Sequence, residues 1–164
     1  MNHKSVLAAL LGGLLLLLSN PLAAAGPAND ARPAPRHSYE EAKRFVDGAV
    51  AHLKKVGPEQ AFADFNDPAG KWIEHDLYIF VFDMKGVYRA TGFKPERTGS
   101  DAWKMKDASG TMFVVQEIIK QAKRHNEALV DYLWKNPANG KLENKTSYVV
   151  KVGDYVVGAG FYHQ

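Results

Sequence analysis

Cysteine is absent from the 164 residues, which excludes a disulfide-stapled scaffold, a Cys-ligated zinc site, a thiol nucleophile and a lipid-modified N-terminal cysteine. Strong charge of either sign is lacking as well. The chain carries 21 Lys and Arg against 18 Asp and Glu, a formal net charge of +3. A nucleic-acid surface needs a marked basic excess to release counterions, so this near-balance excludes a nucleic-acid partner. Catalytic signatures are missing too: there is no G-x-S-x-G elbow, no H-x-x-x-H pair and no D-x-D-x-D-G calcium loop. Gly158-Ala159-Gly160 opens no helix and so is no phosphate cradle; glycines inside a strand mark a close approach of backbone or ligand instead. The chain is read as a non-enzyme with no cofactor and no metal.

What is present begins with an apolar run, Val6 to Leu18, too short to cross ~30 Å of hydrocarbon as a helix. Asn2, His3 and Lys4 precede it, Asn20-Pro21 breaks it, and Ala23-Ala24-Ala25 supplies small residues before Gly26. The pattern predicts a cleaved export signal over residues 1–25, cut before Gly26, and a periplasmic or secreted product. Gly26 to His37 holds three prolines and no apolar periodicity, which reads as a disordered leader. One folded domain is expected over residues 38–164.

Ser38 and Glu41 form an S-x-x-E capping box. Apolar residues at Ala42, Phe45, Val46, Ala49, Val50 and Leu53 then draw one helical stripe, stopped by Gly57-Pro58. A short helix follows over Glu59–Phe65. Leu77–Asp83 is apolar on both faces, as a strand covered on both sides must be, and Val87–Thr91 follows a tight turn. Phe93–Ala108 is long for a connection, and loops of that length are more often functional than idle. Thr111–Lys123 reads as a helix, and Leu129–Trp134, Thr146–Val152 and Tyr155–Tyr162 as strands. The order α-α-β-β-α-β-β-β predicts an α+β domain: a five-stranded antiparallel sheet with a long N-terminal helix and a helix between strands 2 and 3.

The ordered motifs Ala63-Asp64-Phe65-Asn66-Asp67, Asp76 to Asp83, Lys106-Asp107, Val130-Asp131-Tyr132-Leu133-Trp134 with Asn136-Pro137, and Ser147 to Gly160 resemble the single Cache domain. This is a PAS-like extracytoplasmic sensor module of bacterial kinases and chemoreceptors, and the resemblance covers residues 39 to 162. It implies the same α+β fold and a small ligand, such as a carboxylate, amine or amino acid, held between the sheet and its covering loop and helix. Thr91 stands where many relatives carry a His, and Gly99-Ser100-Asp101 where they carry Gly-Lys-Asn. Because of these departures, the resemblance does not transfer a ligand.

Alternate strand residues share a face, which sets Tyr132 and Trp134 together and Ser147, Val149 and Lys151 together. Lys151, inside an apolar strand, must either reach solvent or face an anion. Arg89 and the loop lysines Lys104 and Lys106 could bring charge to a carboxylate, although a solvated surface explains the loop pair as well. Tyr78 and Tyr148 suit core packing, as Tyr132 and Trp134 also could. The candidate ligand residues are therefore Tyr78, Arg89, Thr91, Lys106, Tyr132, Trp134 and Lys151. The expected function is an exported, stand-alone binding domain for a small carboxylate or related metabolite, signalling through a membrane receptor or histidine kinase. The alternative is an interaction protein that docks on such a receptor, or dimerises through its long N-terminal helix, with a vestigial pocket. A polar-lined cavity favours the first and a collapsed apolar one the second.

Overall fold

The computed structural model describes residues 36–163, so the expected export signal and residues 26–35 of the expected leader lie outside the described residues. Arg36 and His37 do not belong to a disordered leader. The Arg36 guanidinium donates to both carboxylate oxygens of Glu143, at 2.8 and 2.9 Å, and to the His163 carbonyl at 2.9 Å. His37 Nδ1 stands 2.6 Å from the Asp76 carboxylate. Two long-range polar contacts thus tie down a segment that proline content and missing periodicity had marked as loose.

Helix α1 spans Tyr39–Val56 and begins with the capping box, in which Ser38 and Glu41 satisfy each other's backbone N–H. Gly57, at φ 82°, ends it, and Pro58 opens α2 (Pro58–Asn66). Strands β1 (Ile73–Glu74) and β2 (Leu77–Tyr78) form a small hairpin. Strands β3 (Phe80–Asp83) and β4 (Tyr88–Thr91) come next, then a 3-10 turn at Pro95–Arg97 and helix α3 (Val114–His125). Strands β5 (Glu127–Lys135), β6 (Leu142–Val152) and β7 (Tyr155–Tyr162) complete the domain. The main sheet runs β4-β3-β7-β6-β5, antiparallel throughout, with α3 between its second and third strands in chain order. The α+β expectation holds.

The segment read as one strand over Leu77–Asp83 is two. Leu77 and Tyr78 pair with β1, Ile79 donates to the Trp72 carbonyl, and only Phe80–Asp83 join the main sheet. An unbroken apolar run carries no signal of a change of partner. Its burial on both faces is as expected. On one face Ile79, Val81, Tyr148, Val157 and Ala159 pack against Ala42, Val46, Ala49 and Leu53 of α1 and Phe65 of α2. On the other, Phe80, Phe82, Val130, Tyr132, Val149 and Val156 meet Val115, Ile118 and Ile119 of α3. Each such fully buried side chain contributes about 1.5–3 kcal/mol. The apolar stripe of α1 is taken up by the chain's own sheet, and its large exposed apolar residues are Tyr39 and Val56, at its two ends. No helix among the described residues is long and apolar enough to cross a membrane.

Candidate functional site

The α3 face of the sheet is not filled to its end. A cavity of about 490 Å³ opens there, lined by Tyr78, Tyr88, Thr91, Phe93, Lys94 and Arg97 from the first half of the domain. Trp134, Lys135, Asn136, Pro137 and Gly140 line it from the β5–β6 hairpin. The long connection after β4 supplies Phe93, Lys94 and Arg97. Beneath the cavity a narrow recess runs inward between Tyr78, Tyr132, Trp134, Phe80 and Ile118.

Behind Tyr78, outside the lining of both the cavity and the recess, lies a buried lysine. Lys145 on β6 is 1% exposed, and its Nζ donates to the Tyr78 hydroxyl at 3.0 Å. The ammonium sits 4.3 Å from the centre of the Tyr78 ring and 5.0 Å from that of Tyr162, two cation–π contacts in a dry setting. No described carboxylate pairs with it. Burial lowers the lysine's pKa, and the fields of Tyr132 and Asp76 only oppose that shift. Asp76 is already engaged by His37. Burial pushes the Tyr78 hydroxyl up to about 12, tempered by the neighbouring Tyr162 and Trp134 side chains and by the charge of Arg97. Tyr78 is therefore a neutral donor whose oxygen already accepts from Lys145, leaving its O–H free for an acceptor in the cavity. Chemically, a cation held behind such a donor, with no described carboxylate beside it, can offer an anion a charge-assisted hydrogen bond.

Glycine makes this geometry possible. A Cβ on Gly160 would lie 2.2 Å from Lys145 Cε and 2.6 Å from Ser147 Oγ, and one on Gly158 would lie 2.5 Å from the Phe80 ring. The two glycines of β7 thus admit the lysine stem and the Phe80 ring against the backbone, the close approach expected of glycines inside a strand.

The structure gathers four of the seven candidates. Tyr78, Thr91 and Trp134 line the cavity, and Tyr132 joins the recess below, its hydroxyl 2.8 Å from Ser147 Oγ. Thr91, at the position of the missing His, is buried and points into the site. Ser100 lies outside the cavity lining, donating to the Arg97 carbonyl at 2.6 Å. Three candidates fall elsewhere. Arg89 is exposed on the edge strand β4 and held by Asp83 at 2.7 Å. Burial pushes the Asp83 carboxyl up, but the Val87 and Lys85 N–H groups together with Arg89 outweigh it and hold it below the usual range. Lys106 is exposed and lies 5.1 Å from the centre of the Phe113 ring. Lys151 is half-buried beyond the strand's middle, where its backbone N–H donates to Asn126. Sequence reasoning missed Lys145, Lys94 and Asn136 as site residues, and left Arg97 off the candidate list although it belongs to the basic and aromatic set whose balance of charge suits a small anion.

Strand order, helix placement and cavity define a PAS-like sensor fold, and residues 34–164 match the profile of single Cache domain 2, so the chain belongs to that family. Its domains are extracytoplasmic ligand-binding modules. A methyl-accepting chemotaxis protein from Vibrio parahaemolyticus superimposes with a TM-score of 0.65 at 22% identity, covering 75% of this chain and 86% of its own. A Cache chemosensory domain described for carboxylic acid recognition gives 0.63 at 23% identity, covering 76% and 92%. The periplasmic sensor domain of a chemotaxis protein gives 0.58 at 24%, covering 76% and 90%.

Proposed function

We propose that this chain is an exported sensor domain that captures a small carboxylate at the Tyr78–Lys145 pair. The observation that carries the reading is the buried Lys145 ammonium, which has no described carboxylate beside it and stands behind a tyrosine that faces an open cavity. A carboxylate accepting from Tyr78 would supply the missing counter-charge in a low-dielectric setting, where such hydrogen bonds are strongest. Trp134 and Thr91 would form the wall and the polar floor. The likeness to a domain described for carboxylic acid recognition supports the same class. An open cavity with polar groups favours capture over a purely docking role with a vestigial pocket. With no nucleophile–base pair converging at the site, a binding role is favoured over catalysis. Export by a cleaved signal before Gly26, and output through a membrane receptor or histidine kinase, complete the reading.

A thermal-shift screen of small carboxylates, amines and neutral analogues tests it. Stabilisation by one or more carboxylates, and by none of the amines, is the expected result. Folded protein that no carboxylate stabilises would sink the proposal.

A further inference from the structure

The cavity carries charge of one sign. Lys94, Arg97 and Lys135 line it, and no Asp or Glu does. None of the three is paired with a carboxylate among the described residues. Arg97 is the most fixed of them. It is half-buried, its Nη1 lies 3.7 Å from the Met105 sulfur, and its guanidinium stands beside the Tyr88 hydroxyl. A soft sulfur and a neutral phenol leave most of its donors unused, since a guanidinium has five. Lys94 reaches over the Phe93 ring at 5.8 Å, and Lys135 is exposed at the end of β5.

The site therefore has two cationic poles. The inner one is Lys145 behind Tyr78, and the outer one is Arg97 with Lys94 and Lys135 at the mouth. Between them stand apolar and aromatic walls from Tyr78, Tyr88, Phe93, Trp134 and Pro137. Size points the same way. At ~30 Å³ per water, the 490 Å³ cavity holds several times the volume of a two- or three-carbon acid, and it falls in the range of sites that enclose larger ligands. An acid that filled only the inner pole would leave the outer cations and the walls unused.

We propose that the ligand is a dicarboxylate, with one carboxylate at the Tyr78 hydroxyl backed by Lys145 and the other at Arg97, joined by a spacer that lies against the aromatic walls. This rests on the carboxylate reading above and narrows it. Calorimetric titration with matched straight-chain monoacids, diacids and the mono-amides of those diacids separates the two claims. The mono-amide keeps the shape of the diacid and removes one charge.

The best diacid should bind at least about tenfold tighter than its mono-amide, the worth of one charge-assisted hydrogen bond. Arg97→Gln should weaken the diacid about tenfold more than the mono-amide and so bring their ratio close to one. If Arg97→Gln does not fold, Lys94→Gln with Lys135→Gln weakens the same outer pole and should shrink the ratio. Equal binding of diacid and mono-amide, or equal weakening of both by Arg97→Gln, overturns the dicarboxylate claim. Binding of monoacids alone overturns that claim and leaves the carboxylate reading standing. Binding of neither series overturns both.

Discussion

Replacing Lys145 by Met separates the two things that this residue does. Methionine reproduces most of the stem that lies across Gly160 and removes the ammonium. Exchanging a buried charge for an apolar group of similar volume is neutral to stabilising by about 1–4 kcal/mol. Here the charge has one hydrogen bond, to Tyr78, and no described carboxylate, so the exchange should fall on the stabilising side. The melting temperature of the ligand-free protein should rise by roughly 3–10 °C. Carboxylate affinity should fall roughly 10- to 100-fold, the worth of a hydrogen-bonded charge. The pH dependence is a second readout. Burial holds the Lys145 ammonium below the ordinary 10.5, so the folded protein gives up that proton at lower pH than the unfolded chain. The cost of the buried charge is constant below the folded value and is relieved as pH rises from there towards 10.5. The stability gap between Lys145→Met and the parent should narrow over that window. Measurement should stop near pH 10.0, where unfolded tyrosines ionise while Tyr78, Tyr132 and Tyr162, all raised by burial, remain neutral. Differential scanning calorimetry and titration on both proteins settle the matter. A Lys145→Met protein that melts lower and binds carboxylates unchanged would refute the reasoning.

Gly160→Ala places a methyl 2.2 Å from Lys145 Cε and should cost about 1–3 kcal/mol by overpacking, read as a lower melting temperature together with weakened ligand binding. Arg36→Ala removes both contacts to Glu143, whose carboxyl the Arg36 hydrogen bonds hold at about 2. Because that pKa is depressed from 4.5, the pair's contribution is complete above pH 4.5 and fades as pH falls towards about 2. The variant should therefore be less stable by about 1 kcal/mol at neutral pH and converge on the parent in acid denaturation experiments. Trp134 lines the cavity, whereas Trp72 is buried in the α1-side core and Trp103 is exposed on the loop. Ligand binding should thus change tryptophan emission, and Trp134→Phe should abolish that change; a response that survives would place the ligand elsewhere.

Much of the fold was legible because α1 announces its ends and both long helices their stripes, whereas α3, with no side-chain cap, runs over Val114–His125 rather than the expected Thr111–Lys123. Ser38, Glu41 and Gly57 bound α1 as expected, and Tyr155–Tyr162 matches β7 residue for residue. The site was half legible. Period-two alternation placed Tyr132 and Trp134 on one face of β5 and Ser147 and Val149 on the matching face of β6. The same alternation extends two residues back to Lys145, which sits directly opposite Tyr132. Starting that strand at Thr146 rather than Leu142 hid it, because the polar run Glu143-Asn144-Lys145 shows no apolar alternation when the partner strand is unknown. Lys151 drew attention in its place, on the same face but nearer the far end of the strand. Arg97 had only a compositional signal, as one of several basic residues that could gather near aromatics, and nothing local to rank it above them. It comes from a 3-10 turn inside a connection, and only the path of Phe93–Ser100 over the end of the sheet brings it to the cavity.

The buried lysine and the glycines of β7 together bear on what this domain is built for. Stability alone would favour an apolar residue at 145 and a side chain at 160, since a buried unpaired ammonium and a glycine in a sheet interior both cost free energy. Ser147, Tyr132 and Tyr78 could then pack without a cation among them. The chain takes the opposite choice at both positions, and it does so on adjacent strands, where Lys145 needs the space that Gly160 leaves. Two independent departures from the stable solution that fit each other are a local conflict of the sort that marks functional positions. Under the proposed function a ligand carboxylate would resolve that conflict, because it would supply the counter-charge without requiring the lysine to move into water. The domain should therefore melt higher with its ligand bound, and much of the binding energy should come from relieving the desolvation cost that the Lys145 ammonium carries in the empty fold.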